Sequence, residues 1–124
     1  MLKTGILLGS FFSLTTIALG AFGAHALKDQ LNEYGKSIFE KAVLYQMFHS
    51  LAIFIVALLN QYFDSVNLTV VIWLFVAGII LFSGSLYILA ITQVKWLGAI
   101  TPIGGVLFMV GWVLLIFKTF SSNI

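Results

Sequence analysis

His25, at the end of Ala-Leu-Gly-Ala-Phe-Gly-Ala-His, and His49, at the end of Leu-Tyr-Gln-Met-Phe-His, have the most scope for chemistry in this sequence. They are its two histidines, and each lies in a membrane-length apolar stretch without Asp, Glu, Lys or Arg. Hydrocarbon penalises polar and ionisable groups, so each imidazole needs a partner, a water-filled cavity or a place near the interface. Tyr45 and Gln46 stand four and three residues before His49, spacings that put all three on one helical face. Ser83 and Tyr87 are also four apart.

Such side chains can form a hydrogen-bonded clasp, bind a small molecule or lipid headgroup, or handle protons or ions, because histidine titrates near neutrality. Two histidines supply half of a four-ligand metal set, with no carboxylate at hand. Haem held between them would need further residues to shape a cavity. Catalysis lacks both a nucleophile–base–orienter set and an intramembrane carboxylate. The absence of cysteine excludes disulfides, thiolate chemistry and cysteine metal sites. These residue types therefore point to no enzyme, no metal and no cofactor.

The elements that position these groups follow from hydropathy. The 124 residues are 61% hydrophobic and only 8% charged, against roughly 25% charged for a soluble domain. The mean hydropathy is +1.13. Six lysines and four acids give a net charge of +2, scattered without a basic cluster, which excludes a nucleic-acid partner. Four spans are expected, at about 4–27, 42–63, 69–91 and 97–117, each near the ~20 residues that cross a ~30 Å hydrocarbon core as a helix. Open strands would leave backbone groups unpaired in lipid. Short second and third connections imply antiparallel neighbours. The predicted fold is all-α: one integral membrane domain over residues 1–124, multi-pass in the cell membrane. The first span also imitates a signal peptide, with Lys3 before it and Ala24-His25-Ala26 as a small-residue cleavage motif, but its apolar core exceeds the usual ~7–15 residues.

The first connection reads differently. Leu27, Leu31, Tyr34 and Ile38 recur at helical spacing, which predicts a short amphipathic interfacial helix over about 28–36. Gly35 would end it. Ser37 and Glu40 would form a capping box for the second span, making that helix the longest of the four. Lys3 and Lys118 lie on one side of the membrane and Lys28, Lys36, Lys41 and Lys95 on the other, a count that leans towards termini outside.

Small residues mark close helix approach, which matters where lipid removes most of the hydrophobic drive between helices. The first span offers Gly5, Gly9, Ser13 and, further on, Thr16, Gly20, Gly23 and Ala24. The third offers Gly78 and Gly84, and the fourth Gly98, Gly104, Gly105 and Gly111. Pro102 either caps or kinks the fourth span, with Thr101 as N-cap, or marks an unwound stretch.

Antiparallel threading brings these polar residues to similar depths. His25 ends the first span, where Tyr45 and Gln46 begin the second, with His49 a turn deeper. Ser83, Ser85 and Tyr87 close the third span and Thr101 opens the fourth. One polar layer is expected from His25, Tyr45, Gln46, His49, Ser83, Ser85, Tyr87 and Thr101.

Four motifs also carry a resemblance: Ala-Leu-Gly-Ala-Phe-Gly-Ala-His at Ala18–His25, Tyr-Gln-x-Phe-His-x-Leu-Ala at Tyr45–Ala52, Leu-Phe-Ser-Gly-Ser-Leu-Tyr at Leu81–Tyr87, and Thr-Pro-x-Gly-Gly at Thr101–Gly105. In this order, over nearly the whole chain, the sequence resembles the YgdD/YwdK-like family of small four-span membrane proteins. The resemblance implies an integral helical membrane protein with no established activity. It leans towards termini inside, against the lysine count. The functional expectation is a non-enzymatic binding or scaffold protein whose polar layer takes a lipid, a small hydrophobic ligand or a partner helix, with homo-oligomers open to it. The alternative is an oligomeric small-solute or proton-coupled transporter or channel.

Overall fold

A computed structural model describes all 124 residues, Met1–Ile124. Four helices are long and apolar enough to cross a membrane: α1 Leu2–Ala26, α2 Glu33–Tyr62, α3 Thr69–Thr92 and α4 Lys95–Phe120. Large apolar side chains such as Leu14, Phe22, Ile55, Val113 and Phe117 face outward, more than half exposed. A band of this kind is tolerable in lipid and not in water.

Consecutive helices run antiparallel, α1 on α2, α2 on α3 and α3 on α4. Glycines set the approach. A Cβ on Gly5 would meet the Ala57 methyl group, one on Gly9 the Phe54 ring at 2.9 Å, and one on Gly20 Val43 at 3.0 Å, so α1 lies against α2 along its length. At the α3–α4 contact, Gly104 sits on the backbone of Phe82, Gly78 beneath the Phe108 ring and Gly111 against Phe75. In lipid this intimacy supplies the dispersion contact that holds helices together. Gly23 and Gly105 make only ordinary contacts, at 3.6 and 3.7 Å. Gly84 departs from the expectation: nothing lies within 4 Å of a Cβ built there.

The first connection also departs from it. Residues 27–30 form hydrogen-bonded turns, and no separate interfacial helix spans 28–36. Leu31 and Ile38 are buried with Phe39, Leu86, Leu89 and Leu97 in a core cluster. Their apolar periodicity serves the bundle rather than a membrane surface. The N-cap of α2 is Asn32, whose Oδ1 accepts the Gly35 N–H at 2.6 Å. Gly35 therefore lies inside the first turn, with no positive φ, and Ser37 and Glu40 lie beyond it. The asparagine, one turn upstream, satisfies the orphan N–H groups first. Residue for residue α2 is still the longest helix, 30 residues, or about 45 Å at 1.5 Å each. Its opening turns, with Glu33, Lys36, Glu40 and Lys41, extend past a ~30 Å core into the interface.

Three of the four helices depart from α geometry. Ala18–Gly23 in α1 and Ile79–Ser83 in α3 are π-helical, with the Ala24 N–H reaching Leu19 O and the Gly84 N–H reaching Ile79 O. Such stretches rotate the faces that follow. At the third turn, Gln93 takes a left-handed conformation (φ 58°) and reverses the chain into α4. There Lys95–Ala99 form a 3₁₀ turn and the α-helix proper begins at Thr101, with Pro102 in its first turn, so the proline neither kinks the helix nor sits in unwound chain. Ile100, not Thr101, is the N-cap.

The interior has two apolar clusters. One gathers Phe12, Ile53, Val56, Ile72, Phe75 and Phe108. The other is the Leu31–Leu97 group already described. The buried polar residues Gln46, His49, Ser50, Ser83 and Ser85 fall between them in sequence on α2 and α3.

Candidate functional site

Gln46 joins three helices. It is 3% exposed. Its Nε2 donates to the Phe12 carbonyl at 3.0 Å and to Thr15 Oγ1 at 2.8 Å, both on α1. Its Oε1 accepts the Tyr87 hydroxyl of α3 at 2.7 Å. Both amide hydrogens and the carbonyl oxygen are thus used.

His49 is bonded through both ring nitrogens. Nδ1 lies 2.8 Å from the Tyr45 carbonyl. A carbonyl only accepts, so Nδ1 carries the proton. Trp112 Nε1–H of α4 donates to Nε2 at 3.1 Å, and an indole N–H only donates, so Nε2 is the bare nitrogen. The pattern is that of a neutral Nδ1–H imidazole. The ring stacks on Phe108 with centroids 3.5 Å apart and planes 8° apart, and meets Phe75 edge-on at 5.2 Å. Neither nitrogen has a free lone pair for a metal or haem iron.

The serines complete the set. Ser83 Oγ donates to the Ala42 carbonyl at 2.7 Å, closing α3 on α2. The π-helical stretch that ends at Ser83 aims this side chain. Ser85 Oγ lies 2.6 Å from Thr101 Oγ1, tying α3 to the start of α4. Every helix is therefore joined to another by a polar side chain. The Ser13 hydroxyl is the one buried side-chain polar atom without a partner.

Seven of the eight expected residues lie along these contacts, but His25 does not. It is exposed at the end of α1. The packed face there carries Gly20 and Gly23, which contact Val43 and Phe39. Two residues beyond Gly23, at about 100° per residue, a side chain points to the far side of the helix. Depth follows from topology, whereas direction follows from the packed face. Tyr45 takes part through its backbone alone: its ring packs on Phe82 at 4.4 Å, and its carbonyl rather than its hydroxyl holds His49.

Two participants, Thr15 and Trp112, lie outside the expected layer. Thr101, Gly105, Phe108 and Trp112 recur at intervals of four, three and four, so following the Thr101 face inward finds the tryptophan. Thr15 adjoins Thr16 and offers no separate signal.

Beside the clasp lies a groove of about 440 Å³ between α2 and α4. Tyr45, Phe48, His49, Phe108 and Trp112 wall it, and Gly105 leaves it open on the α4 side. Its rim residues Leu44, Phe48 and Met109 are each more than half exposed, so it opens sideways towards acyl chains. The volume lies within the ~300–1,000 Å³ of ligand sites.

A family described as "Protein of unknown function (DUF423)" matches residues 19–105. A UPF0382 membrane protein of Staphylococcus aureus (strain bovine RF122 / ET3-1) is 49% identical over 120 residues, covering 97% of this chain and 98% of the relative. The UPF0382 membrane protein YwdK of Bacillus subtilis (strain 168) is 43% identical over 116 residues, covering 93% and 94%. No solved structure matches.

Proposed function

The chain belongs to the UPF0382 family of multi-pass membrane proteins, a family of unknown function, and from that premise we propose a non-enzymatic role in which the groove between α2 and α4 binds one hydrophobic ligand from the bilayer. The observation that carries this reading is the division of labour between clasp and groove. The side chains of Gln46, His49, Ser83, Ser85 and Tyr87 are spent on one another, on Thr15, Thr101 and Trp112, or on backbone carbonyls, which fixes helix positions. The aromatic wall of the groove is left facing lipid, held rigid from behind by the His49–Trp112 bond and the His49–Phe108 stack. Flat aromatic surfaces on a preformed wall bind apolar chains or rings without reorganisation. The polar side chains act as scaffold for this wall.

Native mass spectrometry after gentle extraction tests the reading. Wild-type protein is expected to retain one hydrophobic molecule. Gly105→Leu is expected to lose it, because Gly105 borders the groove and a Cβ there meets only ordinary contacts with the Phe82 ring. Bare wild-type protein, under conditions that keep lipid on a control membrane protein, would overturn the reading.

A further inference from the structure

The groove does not end at its aromatic wall. On α2 the face carrying Tyr45 and Phe48 continues outward, at intervals of three and four, through Lys41, Ser37 and Tyr34. On α4 the face carrying Gly105 continues to Thr101. Those outer residues line a second cavity of about 340 Å³, floored by Leu86 and Leu89 of α3. Beside it, sharing Tyr34, is a smaller cavity of about 120 Å³ bordered by Asn32, Gln93 and Lys95. The sequence distance from Ser37 to Phe48 spans about 16 Å of helix. One strip on the same two helices therefore runs from polar and basic at the interface to aromatic and apolar within the membrane.

Charge decides what such a strip takes. Lys41 and Lys95 are the only charged residues lining the outer cavities, and no Asp or Glu lines either. The protein's one ion pair is Lys36 with Glu33, at 3.7 Å, so both lysines are uncommitted. The acids of this side, Asp29, Glu33 and Glu40, stand outside both cavities. Hydroxyls of Tyr34 and Ser37 add donors. Two cations and two hydroxyls at the interface match a phosphate-bearing anionic headgroup. The aromatic groove beneath matches an acyl chain.

We infer that the ligand is an anionic phospholipid, its headgroup against Lys41 and Lys95 and one acyl chain in the α2–α4 groove. This rests on the groove reading above and narrows it to a ligand class.

The test uses full-length protein in bilayer nanodiscs of phosphatidylcholine with an equal share of phosphatidylglycerol, followed by native mass spectrometry. The wild type should retain phosphatidylglycerol in preference. Lys41→Gln alters an exposed side chain and should stay folded. It should keep a bound lipid but lose about fivefold of the preference, the effect expected of one interfacial lysine. Equal retention of the two lipids by wild type, or an undiminished preference in Lys41→Gln, would overturn the headgroup assignment and leave the groove reading standing. No retained lipid, or a second copy of the chain released by Gly105→Leu, would overturn both.

Discussion

Gly104→Ala is expected to damage this protein more than any other single added methyl group. The new Cβ would fall on the backbone of Phe82, 2.7 Å from its Cα. A side chain could swing aside, but a helix backbone pinned on its other face by the Ser83–Ala42 bond cannot. Overpacking costs typically ~1–3 kcal/mol, and the upper end applies where the neighbour cannot move. The check is a denaturant or thermal titration in detergent micelles beside Gly84→Ala. Gly84 has open space around its Cβ position, and the more favourable helix propensity of alanine should raise stability by up to ~1 kcal/mol. Equal behaviour of the two variants would mean that α3 and α4 do not meet as described.

Gln46→Leu should have the largest effect among the polar substitutions. Leucine fills similar volume but removes three hydrogen bonds that link α1, α2 and α3, and it strands the Tyr87 hydroxyl. Interhelical bonds in membranes average ~0.6 kcal/mol each, so a loss of about 2 kcal/mol is expected. Tyr87→Phe removes one bond and should cost less than half as much. The double variant should cost less than the sum of the two, since each single change leaves a partner unpaired. Strict additivity would show that the Gln46–Tyr87 contact carries no energy.

Much of this architecture is legible without coordinates, and the reasons are specific. Span positions follow from hydropathy because lipid punishes exposed backbone; α1, α3 and α4 begin and end within three residues of expectation. Antiparallel threading then fixes depth, which places Gln46, Ser83, Tyr87, Ser85 and Thr101 at neighbouring levels from the order of the spans alone. Direction around a helix is another matter. His25 shares the depth and not the face, and π-helical stretches in α1 and α3 shift faces in a way no straight α-helix pattern encodes. The start of α2 differs from the expected one because two capping signals compete there, and Asn32 lies upstream of Ser37. Leu31 and Ile38 have the same periodicity whether they cover a membrane surface or a core, so only the packing of Leu86 and Leu89 against them decides. The groove had no signature of its own. It exists because Gly105, which makes no close approach, stands opposite Tyr45 and Phe48, and sequence alone reads that glycine as a packing residue like Gly104.

Binding of a bilayer molecule in the aromatic groove is tested most directly by the fluorescence of Trp112, with Trp73 and Trp96 replaced by phenylalanine. In vesicles containing lipids brominated along the acyl chain, a chain seated in the groove lies against the Trp112 ring. Quenching should then rise steeply and saturate at a low fraction of brominated lipid, and Gly105→Leu should abolish the saturable component. Quenching that grows only in proportion to the brominated fraction, identically in both proteins, would contradict a binding groove.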